Sequence, residues 1–177
     1  NRRFVPYAGM PGRPIRFLEN MLFNQPKPKR PISRAEVIAH FCEETGMPPF
    51  IVDPDIPMDP EAVQQQFNAS VFGQPKAIEG IVNTLAAVKT ALTPTGKPVA
   101  SFLFVGPTGV GKTELVKVLT QFMFGNSQRM VRFDMSEYAD AYNVQRLAGS
   151  GYANEDGLLN PAERGDPFCV FLFDEIE

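Results

Sequence analysis

The chain has 177 residues, a formal net charge of −3 and 44% hydrophobic residues. That length suggests one to two domains with enough apolar material for a core. No run of eighteen apolar residues indicates a membrane span, and the net negative charge leaves no electrostatic footprint for nucleic acid. Charge is nonetheless uneven. Up to Arg34 the basic residues Arg2, Arg3, Arg13, Arg16, Lys27, Lys29, Arg30 and Arg34 face Glu19 alone, and from Ala35 to Phe67 the charges are acidic. Such blocks either dock on one another or form two solvated faces.

In chain order, Pro14 stands where a first helical position is expected, and Ile15, Leu18, Met21 and Leu22 give that helix an apolar stripe. The prolines of Gln25 to Pro31 forbid a helix and favour an extended linker. Ser33 and Glu36 have capping-box spacing, so a helix is expected from there to about Thr45, closed by Gly46 and Pro48. Pro48 to Pro60 reads as an irregular connection, and Asp59-Pro60 starts a short helix to about Asn68. Pro75 opens another, with Ile78, Ile81, Val82, Leu85 and Val88 on one face. His40 reads as a surface residue. Cys42 and Cys169 lack metal-ligand spacing and read as reduced, buried thiols of a cytoplasmic protein.

Ser101 to Val105 is a short apolar run expected to be a buried parallel strand. Behind it stands Gly106-Pro107-Thr108-Gly109-Val110-Gly111-Lys112-Thr113. This fits G-x-x-x-x-G-K-[ST], in which glycines let backbone N–H groups converge on phosphates, the lysine reaches the β- and γ-phosphates and the hydroxyl binds Mg²⁺. Glu114 to Phe124 has Leu115, Val118, Leu119 and Phe122 at helical spacing and ends at Gly125. Strand, loop and helix thus follow in the order that an anion site at a helix N-terminus requires. Met130 to Phe133 reads as a further strand, and Asn160-Pro161 as the start of a short helix.

Phe168 to Phe173 is a second continuous apolar run, ending in Asp174-Glu175 about sixty residues after the loop. An apolar strand with that ending reads as a Walker B element. Asp174 would hold Mg²⁺ through water, and Glu175 would take a proton from an attacking water. The simpler reading is that acidic residues merely end a core strand. No arginine has a recognisable finger context; Arg164 precedes the strand without marking itself as one.

Together these motifs resemble the second ATPase module of the Clp-type AAA+ unfoldases. Val71-Phe72-Gly73-Gln74, Ser101 to Lys117, Val131 to Tyr138 and Asp174 to Glu177 carry the likeness in family order. Ile32 to Val37 and Glu43 to Pro48 resemble the linker between the family's two modules, and Met10 to Leu18 the end of the first. The resemblance implies three parts: residues 1–31 as the tail of a preceding module with a proline-rich linker, 32–70 as linker helix and irregular connection, and 71–177 as the front of an ATPase large subdomain. It implies a P-loop NTPase α/β fold, a three-layer parallel sheet incomplete at its C-terminal end. In that fold a strand from beyond Glu177 would lie between the two apolar runs, so the piece alone would be unstable, swap strands or associate, and be inactive. Asn1 in place of Met also points to a start elsewhere.

The resemblance further implies ATP and Mg²⁺ as cofactors, backbone around Val71 and Phe72 flanking adenine, and Tyr152 as the pore-loop aromatic that grips a threaded polypeptide. The family has Pro-Pro-Gly-Tyr-Val-Gly there; this chain has Gly149-Ser150-Gly151-Tyr152-Ala153-Asn154. An exposed loop aromatic is the other reading of Tyr152. The implied partners are a polypeptide substrate, further copies in a hexameric ring, and a protease or secretion sheath. A nucleotide-binding scaffold or adaptor, and another P-loop NTPase such as a kinase or GTPase, stand as alternatives. No Asn-Lys-x-Asp guanine signature is present.

Overall fold

The computed structural model describes residues 12–24, 31–90, 98–150, 155–159 and 168–176. It divides into two compact units, residues 1–110 and 111–177.

The first unit is helical: α1 (Gly12–Asn24), α2 (Arg34–Thr45), α3 (Pro49–Val52), α4 (Pro60–Ser70) and α5 (Pro75–Lys89). Local chemistry sets the helix ends. The Ser33 hydroxyl accepts the Glu36 N–H, and the Glu36 carboxylate accepts the Ser33 N–H at 2.8 Å, a complete capping box for α2. Gly46, in the left-handed conformation at φ 71°, closes it. The Asp59 carboxylate caps α4 by accepting from Glu61 and Ala62 N–H groups. The α4–α5 pair forms the core of this unit. Phe67 and Ile78 are fully buried, with Ile81, Leu85 and Val88 almost so. Each such aliphatic side chain, removed from water, contributes about 1.5–3 kcal/mol before the entropy cost of ordering it.

The span expected to be irregular holds α3 instead. Its end is fixed by Lys89, whose ammonium donates to the carbonyls of Phe50 (3.0 Å), Asp53 (3.3 Å), Pro54 (3.4 Å) and Ile56. A cation from the last turn of α5 thus serves one carbonyl inside α3 and three in the turn that follows it. Arg34 adds bonds to Asp53 (2.9 Å) and Asp55 (2.5 Å), so part of the basic block does meet part of the acidic one. On α1 the expected stripe is mostly outward: Met21 is buried, whereas Ile15, Leu18 and Leu22 are exposed. Phe17 turns inward instead, its ring 5.2 Å from His40 and 6.1 Å from Phe41 of α2. His40 is therefore not a surface residue, and its Nε2 is buried without a hydrogen-bond partner. Neither Cys42 nor Cys169 forms a disulfide, and both are half-buried rather than buried; burial, then Asp53, pushes the Cys42 thiol pKa up.

Ser101 to Val105 is a second departure, because it belongs to no strand among the described residues. Phe102 and Phe104 are half-buried, with rings stacked 6.0 Å apart, while Leu103 and Val105 are 80% and 87% exposed. That alternation has the period of a strand with one covered face. What is missing is a hydrogen-bonded neighbour.

The second unit holds α6 (Lys112–Phe124), a 3₁₀ turn at Ser127–Arg129, β1 (Met130–Asp134), a 3₁₀ turn at Met135–Tyr138, α7 (Ala141–Ala148), the two-residue strands β2 (Gly149–Ser150) and β3 (Glu155–Asp156), and β4 (Val170–Asp174). β1 and β4 pair in parallel, Met130 opposite Val170 through Asp134 opposite Asp174. Phe133, buried, stacks on Phe173 at 5.6 Å and on Phe171 at 6.0 Å. Aromatic pairs of this kind are worth about 0.5–1.5 kcal/mol beyond their buried area. β2 and β3 pair antiparallel directly after α7. Gly157 follows so closely that an added Cβ would lie 2.2 Å from the Gly149 nitrogen. The helix expected at Asn160-Pro161 lies outside the described residues.

Replacing Ser33 by Ala removes the capping box and is expected to lower stability by about 1 kcal/mol. A denaturant midpoint unchanged from wild type would show that the box contributes nothing.

Candidate functional site

In the first unit the loop from Gly106 to Val110 follows the Phe102–Phe104 segment. Pro107, Thr108 and Gly109 are exposed. Gly109 has φ 84°, a conformation that L side chains rarely adopt. The Gln74 side-chain amide donates to the Val110 carbonyl at 3.1 Å, tying the residue ahead of α5 to this loop. Val71 is buried at the end of α4 and its N–H bonds the Phe67 carbonyl at 2.9 Å; Phe72 is 81% exposed. The adenine-flanking backbone expected there thus lies in the same unit as the first five loop residues.

In the second unit Gly111, at φ 94°, is the residue from which α6 starts. Lys112 and Thr113 open its first turn and are half-buried. The Leu115 N–H bonds the Gly111 carbonyl at 2.9 Å, so the N–H groups of Thr113 and Glu114 have no acceptor inside the helix. The helix is thirteen residues long and carries its dipole toward that end. Leu115, Val116, Leu119 and Thr120 anchor it in the core.

The same unit carries the acidic residues at the C-terminal edge of the parallel pair. Asp174 is the last residue of β4, opposite Asp134, the last of β1. Open parallel sheets bind ligands at this edge. Asp174 Oδ1 accepts the Glu175 N–H at 3.2 Å, and Oδ2 pairs with the Arg132 guanidinium at 2.8 Å. Glu175 is exposed and has φ 56°, the one left-handed non-glycine residue among the described residues. Such a backbone costs about 1–3 kcal/mol and persists where surroundings impose it. The Asp134 carboxylate accepts the Ser136 hydroxyl at 2.6 Å and the Ser136 N–H at 3.1 Å. Those bonds, the hydroxyl first, hold its pKa below the ordinary aspartate value.

Neither Arg132 nor Gln74 was singled out from the sequence as a site residue. Strand alternation places Arg132 two residues before Asp134, on the same face of β1, but only the register with β4 reveals its partner. Gln74 stood inside a quoted motif with no side-chain role. Tyr152, between β2 and β3 in the chain, lies outside the described residues.

No group of three or more His, Cys, Asp or Glu side chains that could hold a metal by themselves occurs among the described residues. The oxygen donors of Thr113 and Asp174 nevertheless suit Mg²⁺, which keeps several waters and takes one or two protein ligands plus phosphate. The helix start, its N–H groups and Lys112 suit a polyphosphate. The donor set therefore fits a magnesium nucleotide.

A glycine loop running into a Lys-Thr helix start, with an apolar strand ending in Asp-Glu, defines the P-loop nucleoside triphosphatase class. Residues 97–177 match the family model described as AAA domain (Cdc48 subfamily), which makes the fold AAA+ and implies nucleotide binding. The chain belongs to the Clp-type AAA+ family. It is 37% identical to the chaperone protein ClpB of Dichelobacter nodosus over 98% of its own length and 21% of the relative's. It is 48% identical to ClpB of Mycoplasma pneumoniae over 60% of its length and 16% of that protein's. Among solved structures it is similar to the S. cerevisiae Hsp104:casein complex in an extended conformation, with a TM-score of 0.75 and 28% identity over 99% of this chain and 31% of that one. The chain thus spans about a fifth of the length of the curated relatives named here.

Because the folded-state pKa of Asp134 is depressed, its interaction stabilises the fold above the unfolded-state value and is lost as pH falls through the folded one. Ser136→Ala is expected to raise that pKa toward the ordinary aspartate value, read by NMR titration of the Asp134 carboxyl carbon. An unmoved titration would assign the depression to another group.

Proposed function

We propose that this chain is the front part of the ATPase engine of a protein-unfolding or remodelling motor, with residues 71–177 as that engine and 32–70 as the linker leading into it. The carrying observation is the second unit's layout: Lys112 and Thr113 open a well-buried helix behind a left-handed glycine, and the same unit's parallel strand ends in Asp174-Glu175. N–H groups at the start of α6 and the Lys112 ammonium bind and orient the β- and γ-phosphates of ATP. The Thr113 hydroxyl and Asp174 hold Mg²⁺, which, when bound, neutralises charge on the transferring phosphate. Glu175 accepts the proton of the attacking water. Glu175 is exposed and left-handed directly after the strand, which leaves its carboxylate accessible to solvent.

The chaperone relatives and the casein held by the Hsp104 neighbour support a polypeptide as the substrate. Assembly into a hexameric ring, a cytoplasmic setting and a gripping role for Tyr152 belong to the same reading. No helix among the described residues is long and apolar enough to cross a membrane.

In the full-length protein, Lys112→Ala is expected to weaken ATP binding at least tenfold, about 1.4 kcal/mol, by calorimetric titration. Glu175→Gln should bind ATP within about threefold of wild type and lose turnover by roughly 10²–10⁴. Unchanged affinity in the first variant would remove the phosphate-loop assignment, and full turnover in the second would remove the base.

A further inference from the structure

Gln74 occupies the residue position that precedes α5, with φ −123° and ψ 49°, yet its side chain makes no hydrogen bond to its own helix. Residues at this position ordinarily spend their side chain on the helix's first N–H groups. Here the side chain reaches thirty-six residues along the chain instead, and its Nε2 donates to the Val110 carbonyl at 3.1 Å.

The consequence lies in the peptide that this bond holds. A trans peptide is planar, so its C=O and the N–H that follows point in opposite directions. Anchoring the Val110 carbonyl on Gln74 turns the Gly111 N–H to the far side of the loop. That peptide joins Val110 to Gly111, and Gly111 has φ 94°. A glycine rotates cheaply in either sense, so Gly111 does not by itself select one orientation of this peptide. The Gln74 hydrogen bond favours one, and Gln74 is itself anchored. The helix behind it is anchored by Ile78, Ile81, Val82, Leu85 and Val88, all buried, and the segment before it by buried Val71.

We propose that Gln74 is a positioning residue of the phosphate loop: it fixes the Val110–Gly111 peptide so that the Gly111 N–H faces the nucleotide's phosphates. This rests on the phosphate-binding reading above. Gln74 touches neither phosphate nor metal; it sets the direction of one donor before the ligand arrives, and preorganised donors cost no reorientation on binding.

The test uses two variants in the full-length protein, with ATP as the probe. Gln74→Met keeps the size and removes the donor. Gln74→Glu sets an acceptor against the Val110 carbonyl, while its charge favours the start of α5. Both are expected to lose about tenfold or more in ATP affinity by calorimetric titration, Gln74→Glu the more. The nucleotide-free melting temperature should stay within about 2 °C for Gln74→Met and stay level or rise for Gln74→Glu. A helix-end role alone predicts the reverse: retained affinity in Gln74→Glu, and losses that follow the nucleotide-free melting temperature. Wild-type affinity in both variants, or losses matched by melting, would overturn the proposal. Lys112→Ala, run alongside, separates the two layers. If it loses ATP while the Gln74 variants keep it, only the Gln74 proposal falls; if wild type binds no ATP, or Lys112→Ala binds like wild type, the phosphate-loop reading falls with it.

Discussion

A helix cannot satisfy the N–H groups of its own first turn, and this constraint organises the chain's chemistry. Most helices here meet it locally: Ser33 for α2, and Asp59 for α4, with a proline at the first position of α3, α4 and α5. The thirteen-residue α6 has no such arrangement. It starts from a left-handed glycine without a side-chain cap, and the residues that follow are a cation and a hydroxyl. A helix start without a side-chain cap, on a helix held by four buried side chains, is suited to an anion that brings its own charge.

The parallel pairing of β1 and β4 does the complementary work. Phe133 between Phe171 and Phe173 fixes the pair in register, and the register puts Asp134 and Asp174 side by side at one edge. Their roles then diverge through their neighbours. Asp134 turns back to Ser136 and closes its own turn, while Asp174 is shared between the Glu175 N–H and Arg132. Arg132 is half exposed in this pair and Asp174 less so. The pair orients the carboxylate, which suits the metal role proposed for it.

What the sequence disclosed follows from how local each signal is. Capping boxes, prolines at helix starts and glycines at helix ends act within four residues, so α2, α4, α5 and α6 were legible nearly to their ends. So was the order of loop, helix and acidic strand end, and with it the family. Features set by distant partners were not. Ser101 to Val105 has the composition of a strand, but pairing depends on a neighbour that composition does not specify. On α1 it is Phe17, not Ile15 or Leu18, that meets rings of α2, and the turn after α3 is held by Lys89 from α5. The side-chain roles of Gln74 and Arg132 are hidden in the sequence for the same reason: one acts across thirty-six residues and the other across a strand register.

The start of α6 and the end of β4 are here proposed to form one magnesium-nucleotide site. The most direct measurement is an experimental structure of the full-length protein with Mg²⁺ and a slowly hydrolysed ATP analogue. The expected result is the β- and γ-phosphates within hydrogen-bond reach of the N–H groups from Gly111 to Thr113 and of the Lys112 ammonium, with the metal on the Thr113 hydroxyl and Asp174 one water away. Nucleotide bound elsewhere on the chain, or bound here with Asp174 remote from the metal, would contradict it.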